Sequence, residues 1–234
     1  MTPPSKLLHR SGRELVYSAG TFSDALASLR ELQVEARPGS TIVFRPRVPR
    51  QPDIEAAAAA VSTRQFCQIG YMREARVRGP SMRKTGGATG RRPSSRAELR
   101  YALTDSFIRD FATPWRKYLG RELIGSFLDI LISRCTVGGT TLIEDEDRLL
   151  GMVSIFPEHD CLGRPLDQVG WVWIDRSLKQ SQRAAAHAVV SHALTMSESP
   201  RLQAGVHIKN LRSQRFFSRL GFRPTCIHCP PRRP

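Results

Sequence analysis

The chain has 234 residues, is 40% hydrophobic and carries a formal net charge of +15, with an isoelectric point near 10.7. Apolar content and length together fill a sizeable core, which excludes an overall disordered chain. No segment approaches the ~18 uninterrupted apolar residues of a membrane helix, Met1–Arg10 lacks an apolar run of signal-peptide length, and five cysteines without framework spacing do not describe a disulfide scaffold. The composition therefore predicts a soluble, cytoplasmic protein with free thiols.

Of the 36 basic residues, 31 are arginine. The guanidinium suits two-pronged contacts to phosphate and carboxylate, so the charge predicts attraction to polyanions or to a phosphorylated cofactor. Residues 1–97 carry a net +10 and residues 98–234 a net +5.

Residues 1–72 read as a small α/β extension. A β-like run, Glu14–Ser18, precedes a helix over Phe22–Leu32 with Phe22, Leu26, Leu29 and Leu32 in register. Thr41–Phe44 is a second β-like run ended by Pro46 and Pro49, and Ile54–Phe66 an alanine-rich helix behind Asp53. Residues 73–97 form an Arg/Gly-rich linker or mobile loop. The stretch Arg73–Arg100 holds nine basic and two acidic residues among breakers such as Gly79, Pro80, Gly86 and Pro93. Like-charge repulsion predicts an extended segment there, either solvated or ordering on an anion such as nucleic acid.

From residue 98 onward the pattern is regular. A helix is predicted over Ala97–Phe111, with Leu99, Ala102, Leu103, Phe107 and Phe111 on one side. A second follows over Glu122–Cys135, buried through Leu123, Phe127, Ile130 and Leu131. Thr140–Ile143 and Leu149–Phe156 flank the acidic turn Glu144–Asp147 as an antiparallel hairpin. After a loop over Pro157–Asp167, the run Val169–Ile174 suits a strand buried on both faces. Gln182–Thr195 reads as a helix, Leu202–Ile208 as a strand, Asn210–Leu220 as a helix stopped by Gly221, and Phe222–Cys229 as a last strand. The sum is an α/β (α+β) chain with a mixed, mostly antiparallel sheet flanked by helices.

One segment carries a family resemblance. In Asn210-Leu-Arg-Ser-Gln-Arg-Phe-Phe-Ser-Arg-Leu-Gly-Phe222, an Asn is followed by the small Ser213, the aromatic pair Phe216 and Phe217, and a Gly221-Phe222 ending. Together with the hairpin ending Gly151–Ile155 and the strand Gln203–Ile208, this resembles the GNAT superfamily of N-acyltransferases over about 110 residues, or 140 with the two preceding helices. The resemblance implies a GNAT-like acyltransferase domain over residues 98–234. It also implies acetyl-CoA or another acyl-CoA as cofactor, and an amine acceptor as the second substrate.

The resemblance further implies where such a cofactor lies. Two neighbouring strands, Val169–Ile174 and Leu202–Ile208, are expected to splay, and the pantetheine arm to pair with their unpaired backbone groups. The pyrophosphate is expected at the amino end of the helix beginning near Gln182. The implied cofactor-binding residues are Ile174, Lys179, Gln180, Arg183, Ala184, Ala185, Asn210 and Phe217. Acyl transfer to an amine needs a proton acceptor, and the candidates are Asp167, His159 and His207, with Asp175 also near the turn.

Two departures from the family stand out. The phosphate turn, Arg176-Ser-Leu-Lys-Gln-Ser-Gln-Arg-Ala-Ala-Ala186, lacks the family's glycines, and the position of the family's tyrosine acid is Phe217. They keep a second expectation open: a non-catalytic protein of this fold that binds a partner or nucleic acid through its arginines. Cys226-Ile-His-Cys229 has metal-ligand spacing. Strand alternation parts Cys229 from Cys226 and His228, so ordinary thiols are expected and no metal.

Overall fold

The computed structural model describes residues 6–11, 14–19, 41–46, 68–74, 87–112, 121–146, 148–160, 163–197 and 199–229. The helices expected over Phe22–Leu32 and Ile54–Phe66 lie outside these residues. The chain divides into two compact units. One comprises Met1–Arg73, His159–Pro165 and Gln203–Pro234; the other comprises Glu74–Glu158 and Leu166–Leu202.

The second of these units holds β5 (Thr89–Arg91), α1 (Arg96–Phe107), α2 (Arg121–Arg134), β6 (Thr140–Asp145), most of β7 (Arg148–His159), most of β8 (Pro165–Ile174) and α3 (Gln180–Thr195). Its strands lie in the order β8-β7-β6-β5. β6 and β7 are antiparallel, with Leu142 opposite Met152 and Thr140 opposite Ser154, whose hydroxyls meet at 2.6 Å. The acidic turn falls where expected: Glu146 has φ +48°, and Asp147 lies outside the described residues.

Packing in this unit follows the sequence periodicity. Leu99, Ala102, Leu103 and Phe107 of α1 and Leu131 of α2 are buried against Leu142, Met152, Phe156 and Trp173 of the sheet. Burying one such Leu or Phe contributes about 1.5–3 kcal/mol. Ser95 caps α1 by accepting from Glu98 N at 3.1 Å, and the Glu98 carboxylate accepts from Ser94 N and Oγ. At the same end of the pair, the Arg96 guanidinium donates to the Ile132 and Cys135 carbonyls, placing a cation at the negative end of α2. The α-helical hydrogen bonding of α1 ends at Phe107 and a π-turn carries the chain on to Ala112.

The stretch expected to be loose is partly built in. Its residues 75–86 lie outside the described residues, but Thr89–Arg91 pairs antiparallel with β6. The Arg91 guanidinium bonds Glu98 and Glu144 at 2.6 Å each. Bonded by Arg91 and by Ser94, the Glu98 carboxyl is pulled down to about 2. Charge repulsion is thus answered by specific acids distant in sequence, and Arg73, Arg91 and Arg96 are all engaged inside their own units.

The other unit holds β1 (Lys6–Ser11), β2 (Glu14–Ala19), β3 (Thr41–Pro46), β4 (Gln68–Glu74, up to Arg73), β9 (Arg201–His207, from Gln203), α4 (Leu211–Arg219) and β10 (Arg223–Cys229). Their order is β1-β2-β3-β10-β4-β9. β1 and β2 are antiparallel, β2 and β3 parallel with Val16 opposite Val43, and β10 runs antiparallel to both β3 and β4. Asn210 caps α4 by accepting from Ser213 N at 3.2 Å, and Gly221 at φ +81° ends it. A side chain would be strained at that φ, which is why glycine stands there. In β4, Arg73 is 5% exposed, stacks 5.0 Å from the Phe222 ring and donates to the Leu220 carbonyl.

Among the described residues no helix is long and apolar enough to cross a membrane.

Candidate active site

The half of the expected site that lies in the second unit is the end of β8, the turn 175–179 and the start of α3. β8 delivers the chain to this turn with Ile174 half-buried and Asp175 N bonded to Leu150 O at 2.8 Å. Asp175 then folds the turn onto itself: its Oδ1 accepts from Ser177 N at 2.8 Å and Ser177 Oγ at 2.9 Å. Arg148 bonds both Asp175 Oδ2 and Ser177 Oγ, at 3.4 and 3.1 Å. Burial alone would raise the Asp175 carboxyl; the bonds from Ser177 and Arg148 outweigh it and hold the group below the usual carboxylate range.

Arg183 braces the same turn from the first turn of α3. Its Nη2 donates to the carbonyls of Arg176 at 2.8 Å and Leu178 at 3.0 Å. Arg176 is fastened in turn, its Nε 3.1 Å from Asp110 Oδ2 on the π-turn after α1. The buried Leu178 anchors the turn to the interior. Backbone carbonyls are therefore pinned on the Arg183 side, and the guanidinium that the sequence places against a phosphate serves as a structural strut.

The amino end of α3 is left open. Lys179 occupies the cap position at φ −62°, ψ 158°, without a side-chain cap bond to the helix. An ammonium has no acceptor to offer. The reciprocal contact is a long one, Lys179 N to Gln182 Oε1 at 3.4 Å. A helix start carries backbone N–H groups without intrahelical partners. Here Lys179 offers those of Gln180, Ser181 and Gln182 no side-chain oxygen, while the Lys179, Gln180, Ser181 and Ala184 side chains are exposed around them. Ala185 is buried beneath and seats the helix. An uncapped helix start beside a lysine is a ready anion cradle.

The missing glycines carry no conformational penalty. Among the described residues the only non-glycine with positive φ is Glu146. The turn 175–179 therefore runs through dihedrals open to any residue, and Ala184 and Ala185 sit in regular helix.

The remaining expected site residues are distributed as follows. Asp167, near the start of β8, is half-buried and accepts from Ser197 Oγ at 2.5 Å. It lies seven residues from Ile174, roughly 23 Å along an extended strand. In the other unit, His159 is exposed at the end of β7. His207 is buried, and burial first, then the Lys209 charge, pushes it down to about 4. Its Nδ1 accepts from Lys209 N at 3.1 Å. Asn210 spends its Oδ1 on the helix cap, and Phe217 is buried edge-on to both Phe216 and Phe222. Cys226 Sγ and His228 Nε2 meet at 3.1 Å, as strand alternation requires. Arg148, Ser177 and Asp110 escaped the sequence reading, because nothing in their local pattern marks them as partners of the turn.

Comparison with known proteins agrees with this picture. The family model described as the acetyltransferase (GNAT) domain matches residues 133–223, which spans β6 through α4. The resemblance read from the Asn210–Phe222 segment is thus shown over residues 133–223. Among solved structures, a conserved protein of unknown function from Staphylococcus epidermidis is similar at a TM-score of 0.50 and 12% identity, over 93% of this chain and 83% of that one. A GCN5-related N-acetyltransferase from Sphaerobacter thermophilus is similar at 0.48 and 12%, over 96% and 74%. The first of these likenesses speaks to the fold alone. No curated protein sequence matches the chain.

Proposed function

We propose that the protein is a cytoplasmic acyl-CoA-dependent N-acyltransferase, using acetyl-CoA or another acyl-CoA and a primary amine as acceptor. The observation that carries this reading is the uncapped start of α3, at the end of β8 and inside the family-matched segment. Its N–H groups and the adjoining Lys179 ammonium fit a diphosphate, with Gln180 and Ala184 at the rim and Arg183 holding the turn in shape. Ile174 and Ala185 back the cradle. Asn210 and Phe217 of α4, in the other unit, enter the reading on the resemblance alone.

An acyl-CoA supplies the acyl group as a thioester, activated toward an amine. The chain's own part is to orient the amine and take its proton. Asp167 is the preferred acceptor: one carboxylate oxygen is fixed by Ser197, which leaves the other for a proton. His207 is a poorer one. Its Nδ1 lone pair is already engaged, and the neutral ring then carries its proton on Nε2. His159 remains a candidate on exposure alone. Phe217 has no proton to give, so protonation on the departing side falls to water or to the proton Asp167 has collected.

The test is thermal melting with and without CoA. Ligand at 100 times its Kd stabilises by about 2.7 kcal/mol, which for a chain of this size is a rise of about 5–10 °C. An unchanged melting temperature at millimolar CoA and acetyl-CoA would overturn the proposal.

A further inference from the structure

The second unit contains a cavity of about 320 Å³ beside the turn, lined by α1, the π-turn, the start of β7 and the end of β8. That volume sits at the low end of small-molecule sites, ~300–1,000 Å³. Its wall includes Trp173, which is 4% exposed and whose indole N–H is buried without a hydrogen-bond partner. The contrast with its neighbour on the same face of β8 is direct: Trp171 Nε1 donates to Ser106 Oγ at 3.0 Å. A buried donor left unmet costs about 1–3 kcal/mol, and an indole N–H can only donate.

The other polar groups of the wall also have donors to spare. Among the described residues Arg109 spends only its Nε, on Asp105 at 2.9 Å, which leaves both terminal nitrogens. Arg148 spends only Nη2, on Asp175 and Ser177. The acceptors are nearly exhausted: Asp175 takes bonds on both oxygens and Asp105 on one. Surplus donors, two of them guanidinium, call for a ligand rich in acceptors. Tyr101 and Leu149 add an aromatic and an aliphatic flank.

We propose that this cavity binds a small organic oxyanion, a carboxylate or phosphate monoester on an apolar body, with the anion between Arg109 and Arg148 and within reach of the Trp173 indole. None of the residues lining the cavity belongs to the helix start at 179–185, and the proposal holds whether or not CoA binds there.

The experiment is NMR of the 15N-labelled full chain, following the three tryptophan indole N–H signals during titration with benzoate, phenyl phosphate and benzamide. Trp173→Phe assigns the relevant signal by its loss. The indole signal of Trp173 is expected to move with benzoate or phenyl phosphate and not with neutral benzamide. Whichever anion is tighter identifies the ligand class. Arg148→Met, checked for an unchanged circular dichroism spectrum, is expected to weaken the response at least tenfold, and Arg109→Met likewise. An indole signal that ignores both anions to tens of millimolar, that responds equally to benzamide, or that titrates unaltered in folded variants would overturn the proposal.

Discussion

Replacing Lys179 by aspartate sets stability against function at one position. The backbone at Lys179, φ −62° and ψ 158°, is that of a normal cap residue, so an aspartate there can accept from the N–H groups of the first helical turn without strain. A good cap in place of none stabilises by about 0.5–2 kcal/mol, and an acid at the helix start adds about 0.3–1 kcal/mol. For a chain of this length a gain near 1 kcal/mol raises Tm by about 2–4 °C. The same carboxylate fills and repels the place proposed for diphosphate. Losing a single charge-assisted hydrogen bond costs about 1.5–3 kcal/mol, so CoA affinity falls roughly tenfold to a hundredfold. Calorimetric titration with CoA and thermal melting of the unliganded protein give the two readouts. A Lys179→Asp variant that melts lower than the parent would mean that the helix start was not open. One that melts higher yet binds CoA as tightly would place the diphosphate elsewhere.

Two further outcomes are expected. Asp167→Asn should lower the acyl-transfer rate by 10²–10⁴-fold, the usual worth of a positioned base, with Tm within a few degrees of the parent; full activity would remove Asp167 from the chemistry. Glu98→Gln should cost about 1 kcal/mol near neutrality, the upper end for a partly exposed ion pair. Because the folded carboxyl is held at about 2, below the ordinary 4.5, its stabilisation is present above 4.5 and fades as pH falls from there toward 2. Denaturant melts of parent and variant should therefore converge at low pH; a constant difference from pH 7 to 2.5 would refute the assignment.

Much of the C-terminal architecture was legible because each element carries its own punctuation. Asn210 and Gly221 bracket α4, Ser95 starts α1, and the apolar stripe Leu99, Ala102, Leu103 and Phe107 is the buried face. The strands β1, β4 and β5 were not legible. β4 alternates Ile69, Tyr71 and Arg73 into the interior, and an arginine in the third place breaks an apolar pattern; its contacts with Phe222 and Leu220 help to make burial tolerable. β5 is three residues among arginines and glycines, and exists because Glu98 and Glu144, 7 and 53 residues away, receive Arg91. For the site, residue types and helix start were readable, but not the division of labour. Whether Arg183 meets a phosphate or its own backbone carbonyls depends on the path of the turn, which is set by Asp175, Arg148 and Asp110.

The brevity of β5 has a consequence for the protein's behaviour at high concentration. As the last strand in the order of its unit, it presents three residues, one a glycine and one an arginine whose fork is already occupied. Short, charged rims make poor templates for recruiting a strand from another molecule. Fibrillar or sheet-extended assembly through this border is disfavoured by construction, and severing the Arg91 clasp is the change that would expose it.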